Sequence, residues 1–445
     1  MQVQHLNRRS LPGLLIGAIL AASAVVGASA DPAAGAPTLP PGFVSEVVAG
    51  GLNYPTAVVE LPDGRLLVTE KDGLIRVIKN GALLPTPFAD LSAEVNNFWD
   101  RGLTAIAVDP DFATNQNLFL FYPFDSTGTD GSGPVTNRLI RITASGDVME
   151  PGSATVVLGS ATGSGCPAPP SADCIPQDWY GHSADNIRFA PDGTMFVSMG
   201  DAASWDYVDD LALRAQDIDQ YPGKVLHITK TGLGLPSNPF WNGDPNSIRS
   251  RVWAYGFRNP FRMPLHPSSG IPYVGDVGWN DIEELDVVAA GGNFGWPCYE
   301  GDAPQPGYQS KPLCQSLYAQ GAAAVQAPMY SYTHDGLGGS VVGGAFTPAT
   351  TTFPPTYQDG LFFADYAQDW IRFAPLDGQG NPTGQPLNFA SAAGGPVDLT
   401  FGSDGNLYYI AINDGELRRI RPASGDVSTT YLSDLTPSAT PANGW

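Results

Sequence analysis

The sequence predicts an all-β fold, a six-bladed β-propeller of four-stranded antiparallel blades. Three observations point there. Glycine and proline account for 93 of the 445 residues, about a fifth of the chain where average usage gives roughly an eighth. Yet 42% of residues are hydrophobic and 10% aromatic, too much apolar material for a disordered chain. Short apolar-alternating stretches recur six times between turn dipeptides, the pattern of successive hairpins. Glycine and proline are the poorest helix formers, so a helical bundle is excluded.

The first unit, residues 57–78, reads strand, Asp63-Gly64 turn, strand, turn, strand. The second, 103–142, turns after Asp109-Pro110 and continues through the apolar runs 118–122 and 139–142. The third, 186–228, turns at Asp192-Gly193. The fourth and fifth, 261–288 and 342–373, keep the strand spacing with looser turns. The sixth, 397–420, returns to an Asp404-Gly405 turn. No such unit buries both faces alone, so neighbours must stack. Six of them close into a ring with only short, protected edges. An open sandwich array would not need the recurring Asp-Gly spacing. Insertions at 145–182, 201–222 and 293–340 interrupt the units. Propeller insertions gather near the channel mouth and carry function.

At the amino terminus Arg8 and Arg9 precede an apolar run, 11–28, that ends in Ala28-Ser29-Ala30. This is the form of a secretory signal peptide over residues 1–30, and the expected product is secreted. Arg8-Arg9-Ser10-Leu11 is a partial twin-arginine match. The full chain carries a formal charge of −22, and cleavage after Ala30 removes only Arg8 and Arg9, leaving −24. Such a surface repels phosphate, which excludes a sequence-independent nucleic-acid binder. No later segment is long and apolar enough to span a bilayer. The propeller is expected over 31–425, followed by a Ser/Thr/Pro-rich tail over 426–445. Four cysteines allow three pairings. The local one, Cys166 with Cys174 and Cys298 with Cys314, is simplest, because each bridge staples one loop. Their spacing is not that of a zinc site.

No nucleotide-binding glycine loop, zinc-protease helix motif or nucleophile elbow is present. The chemistry must come from polar residues on loops between strands. His182 is either a general base near neutral pH or a hydrogen-bonded loop histidine. Asp201, at a strand end, orients a substrate hydroxyl or the histidine, or caps a turn. Arg258, beside Asn259, offers a forked donor to a carboxylate or developing oxyanion, or pairs with the acidic surface. Gly278 and Trp279, followed by Asp281, Glu283 and Glu284, combine carbonyls and carboxylates suited to calcium, or form a solvated acidic turn.

Several segments resemble the soluble quinoprotein sugar dehydrogenases, the glucose/sorbosone dehydrogenase family. They are His182 through Gly200-Asp201, residues 216–228, Asn238-Pro239-Phe240, residues 253–260 ending in Arg258-Asn259-Pro260, residues 291–297 (Gly-Gly-Asn-Phe-Gly-Trp-Pro), and residues 360–365. The likeness covers about residues 40–422. It implies a six-bladed propeller and a small-molecule sugar substrate. It implies His182 as the base at an aldose C1 hydroxyl, with hydride passing to pyrroloquinoline quinone (PQQ) to give a lactone. By the same resemblance Asp201 lies near substrate, Arg258 and Asn259 contact the quinone, the carbonyls of Gly278 and Trp279 bind the cofactor calcium, and Glu284 ligates a structural calcium. The tail from Tyr431 to Trp445 resembles the opening strand of a sugar-binding domain of the NPCBM kind.

The chain departs from the family in three places. The fifth unit, 363–370, lacks the family's lysine. Residues 395–398, Gly-Pro-Val-Asp, lack both arginines expected before the last unit. Residues 183–186, Ser-Ala-Asp-Asn, replace glycines and an arginine. Losing three cations around a tricarboxylate weakens its binding. Two functions therefore stand: a secreted, calcium-dependent PQQ sugar dehydrogenase, or a secreted carbohydrate- or protein-binding propeller that has lost the quinone. A propeller lactonase rests on fold analogy alone.

Overall fold

The computed structural model describes residues 35–161 and 173–423. The expected signal peptide, Cys166 and the 426–445 tail lie outside the described residues. The six units are six antiparallel sheets. Blade 1 pairs Pro55–Glu60, Leu66–Glu70 and Leu74–Lys79, with Ala82–Leu83 and Ala89–Asp90 sharing its outer edge. Blade 2 pairs Ala105–Val108, Asn117–Phe124 and Val135–Ser145, edged by Thr155–Leu158 and Ile175–Gln177. Blade 3 runs Ala184–Phe189, Met195–Met199, Lys224–Ile228 and Val252–Tyr255. Blade 4 runs Pro260–Arg262, Tyr273–Asp276, Ile282–Val287 and Tyr330–Thr333. Blade 5 runs Val341–Phe346, Gly360–Asp365, Trp370–Pro375 and Leu387–Ser391. Blade 6 takes Pro396–Phe401, Leu407–Ala411 and Glu416–Pro422, and its outer strand is Phe43–Ala49 from the start of the chain. The first strand of each blade touches the first strand of the next, and blade 6 returns to blade 1, so the ring is closed.

The turns follow from their residues. In blades 1, 3 and 6 the first hairpin closes the same way. The amide of Gly64, Gly193 or Gly405 donates back three residues, and the preceding Asp accepts the amide two residues on. These glycines have φ between +74° and +85°, a conformation that costs a residue with a Cβ about 1 kcal/mol or more. Alternate strand residues face the neighbouring blades and form apolar layers. Leu67, Val77, Ile106 and Leu120 fill the space between blades 1 and 2. Phe362, Phe373, Leu399 and Tyr409 do so between blades 5 and 6. Among the described residues no helix is long and apolar enough to cross a membrane.

The inner strands of blades 1, 3, 4 and 6 each slip register by one residue, at Thr56, Asp185, Phe261 and Val397. A bulge takes its residue out of the ladder and leaves that carbonyl in need of a donor. One side chain supplies all four. Arg262, fully buried, donates to Thr56 O (2.7 Å), Asp185 O (3.0 Å), Phe261 O (3.3 Å) and Val397 O (3.1 Å). Its charge is met by Asp398 at 3.2 Å, whose other oxygen accepts the amide of Val58. Arg262→Met should lower unfolding free energy by about 3–5 kcal/mol, the cost of stranding a buried charge partner. Urea denaturation followed by tryptophan fluorescence measures it; a change below 1 kcal/mol contradicts the assignment.

Candidate active site

At one end of the channel the bulged strands and the loops around them enclose a cavity of about 470 Å³. All six blades reach it, through residues such as Thr56, Thr104, His182, Asn259, Ser340 and Val397. The first two strands of blade 3 form a hairpin, which brings His182, before the first strand, opposite Asp201, after the second. His182 Nδ1 and Asp201 Oδ1 are 2.7 Å apart. Asp201 Oδ1 also accepts the amide of Ala203 (3.0 Å), and its Oδ2 accepts the indole N–H of Trp296 (2.7 Å). An acceptor-only carboxylate on Nδ1 fixes the proton there and leaves Nε2 as the basic atom. No protein group bonds Nε2 among the described residues, and His182 lines the cavity.

His182 is held at φ +51°, uncommon for a residue with a Cβ and an indication of functional placement. Gly200 makes the approach possible: a Cβ there would fall 2.5 Å from the carbonyl oxygen of His182. Burial, then the charge of Arg258, pushes the imidazole below its usual 6.5, against the pull of Asp201. Burial opposes ionisation of Asp201, but the hydrogen bond to His182, the charge of Arg258 and the amide of Ala203 hold the carboxyl low. The pair is therefore a neutral imidazole on an ionised carboxylate.

Arg258 is buried behind this pair. Its Nη1 donates to Val277 O (2.8 Å), and its guanidinium lies 5.5 Å from the Trp296 ring centre. It does not line the cavity, so it reaches His182 through its field. Asn259 does line it, and its buried Oδ1 has no partner. Asp276 accepts the main-chain amides of both residues.

Gly278 and Trp279 stand outside the cavity lining, in a loop wrapped around Glu300. One oxygen of Glu300 accepts four successive amides, from Trp279 to Ile282, at 2.8–3.3 Å. The amides are thus committed, while the carbonyls of Gly278 and Trp279 accept no hydrogen bond among the described residues. Glu284 accepts the amide of Gly301. It lies near Asp276 and Asp286, and neither oxygen of the fully buried Asp286 has a partner. Burial, reinforced by repulsion from neighbouring acids, raises Glu284 and Asp286 well above the carboxylate range, and burial pushes Asp276 up to about 7. No group of three or more His, Cys, Asp or Glu able to hold a metal occurs among the described residues. Any cation here would depend on the free carbonyls as well.

Three acidic or basic cavity residues have no place among the site residues expected from sequence: Lys71, Asp100 and Asp185. Among the described residues Lys71 is the one Lys or Arg lining the cavity, and it donates to the carbonyl and side chain of Asn97. Asp185 is the bulge residue of blade 3; burial raises its carboxyl well above the usual range. The 201–222 and 293–340 insertions pack together beside Trp296, and the Cys298–Cys314 disulfide sits in that cluster.

Scaffold and site define a propeller that presents an Asp-oriented histidine to a cavity large enough for a sugar. The chain belongs to the glucose/sorbosone dehydrogenase family, whose model matches residues 52–419. It is 25% identical over 260 residues to an aldose sugar dehydrogenase of Escherichia coli, covering 57% of this chain and 61% of that one. It is 25% identical over 314 residues to quinoprotein glucose dehydrogenase B of Acinetobacter calcoaceticus, covering 66% and 59%. The chain thus spans about three-fifths of each enzyme. The PQQ-bound aldose sugar dehydrogenase of Streptomyces coelicolor superposes with a TM-score of 0.60 at 21% identity, over 86% of this chain and 99% of that one, a likeness of fold.

Two measurements test the electrostatics. NMR titration should place the His182 midpoint below 6.5, and Arg258→Gln, which removes a repulsive charge, should move it upward. The raised acids are most favourable when protonated. Their stabilisation is present below pH about 4 and is lost as pH rises through about 7, the Asp276 value. The melting temperature of metal-free protein should therefore fall between pH 5 and 8; a rise across that window contradicts the burial of these acids.

Proposed function

We propose that this chain is an exported sugar dehydrogenase that oxidises the C1 hydroxyl of an aldose to a lactone, with a quinone as hydride acceptor. The observation that carries this is the His182–Asp201 pair at the cavity wall, with no protein partner on Nε2 among the described residues. Nε2 takes the hydroxyl proton as the C1 hydrogen departs with both electrons of its bond and C1 gains a carbonyl. Asp201 holds the imidazole in the right tautomer and stabilises the imidazolium that forms. A bound PQQ would supply the two-electron acceptor.

The cavity fits such a group on the side of blades 1, 3 and 4. Asn259 offers an unpaired acceptor, its Oδ1, and Lys71 offers a cation. Asp185, kept protonated by burial, acts there as a hydrogen-bond donor rather than a negative charge. Tyr366, Ala367, Val397 and Ile412, from blades 5 and 6, are uncharged, where the family resemblance would have placed basic residues. The carboxylates would thus rest on one cation, Lys71, and one neutral donor, Asp185. Calcium is supported by the free carbonyls of Gly278 and Trp279 and by the unpartnered oxygens of Asp286. The uncharged far wall favours the second reading, a sugar-binding propeller without a quinone.

Calorimetric titration with PQQ and calcium separates the two. The dehydrogenase requires binding at tens of micromolar quinone or better, and dye reduction with aldoses. Affinity should weaken as pH rises and Asp185 ionises. Folded protein that binds sugar but no quinone belongs to the second reading. In an active preparation His182→Ala should reduce kcat by about 10²–10⁴-fold, the range for a positioned general base. Asp201→Asn should reduce it with little change in KM.

A further inference from the structure

The cavity mouth continues into a run of aromatic rings. Trp99 lines the cavity and is 62% exposed. It lies 6.0 Å from both Tyr180 and Trp205. Tyr180 stacks on Trp179 at 4.4 Å, and Trp179 meets Tyr207 edge-on at 5.7 Å. Tyr207 is 53% exposed. The inner end of the run is fixed on the reaction centre. The Trp205 ring lies over Gly181, 2.1 Å from where a Cβ would stand, and 6.1 Å from the His182 ring. The indole N–H of Trp279 pins the Trp205 carbonyl at 2.6 Å.

Packed aromatic rings left open to water at a cavity mouth mark a recognition surface. Their faces suit the C–H faces of sugar rings, and their polar edges suit hydroxyl groups. The neighbouring side chains Asp100, Asp178 and Asp206 are acidic, and Asp178 is paired with Arg214 at 2.6 Å. Such a rim disfavours anionic chains. We propose that the run from Trp99 to Tyr207 forms subsites for a neutral oligosaccharide whose reducing end reaches His182. This rests on the sugar-oxidising function proposed above and adds that the preferred substrate is a chain of two or more residues.

The test uses glucose, cellobiose, cellotriose, maltose and maltotriose, together with their reduced alditols, which have no C1 hydroxyl to oxidise at an aldehyde-level carbon. Affinities are read by tryptophan fluorescence and calorimetry on the full chain. At least one series should bind tenfold or more tightly at three units than at one, with the alditols following. Tyr207→Ala should lower the trisaccharide-to-glucose affinity ratio at least threefold. An acidic trigalacturonate should bind more weakly than either neutral trisaccharide. Affinity independent of chain length, or a ratio unchanged in Tyr207→Ala, overturns the rim. Alditol binding needs no hydride acceptor. Length-dependent binding without turnover therefore upholds the rim and sinks the dehydrogenase, and turnover without length dependence does the reverse.

Discussion

The guanidinium of Arg262 is the constraint on which the site depends. Five inner strands are bulged, and in blades 1, 3, 4 and 6 the bulge leaves a carbonyl with no ladder partner. Met by one planar group with its donors in a fixed fork, the four carbonyls become a rigid floor. The same bulges turn Thr56, Asp185, Phe261 and Val397 toward the cavity. The stitch that joins four blades therefore also sets the shape of the space above it.

Above that floor the electrostatics are arranged by depth. His182 and Asp201 form a tight pair whose proton position is set by the Ala203 amide and the Trp296 indole. Arg258 lies behind and acts at a distance, so it tunes the imidazole without competing for the substrate's place. The buried acids Asp276, Glu284 and Asp286 sit further out, in blade 4. Their charge is suppressed unless a cation arrives. A neutral base beside a latent anionic cluster suits a chain with twice as many acids as bases.

The blades were legible because their signals are local. Asp63-Gly64, Asp192-Gly193 and Asp404-Gly405 each specify a turn within five residues, and alternation specifies the flanking strands. The pairing of His182 with Asp201 was legible for a related reason: one hairpin brings them together. Arg262 was not, because its four acceptors come from strands up to 206 residues away and nothing local marks a bulge. Asp185 stood out as a departure from the family, but its position facing the channel depends on that same bulge. Lys71 and Asp100 lie on blade-edge loops, and only ring closure brings them to the cavity. The family resemblance makes Gly278 and Trp279 carbonyl ligands of a cofactor calcium; Glu300, which gathers the amides of their loop from 21 residues beyond Trp279, was not legible at all, because nothing in its local sequence marks it.

Blade 6 takes its outer strand, Phe43–Ala49, from the opposite end of the polypeptide, and Glu46 clasps Arg419 and Arg421 across the join. The strand that opens the ring in chain order thus waits for the one that closes it. Until residue 422 is available, the inner ring lacks the blade that supplies Val397 and Asp398, and the Arg262 fork has lost two of its contacts. The cavity is then open on one side. Contacts this distant in sequence form late and slowly. The chain therefore lacks a complete site until blade 6 is in place, and a partly made copy holds His182 without a closed cavity around it.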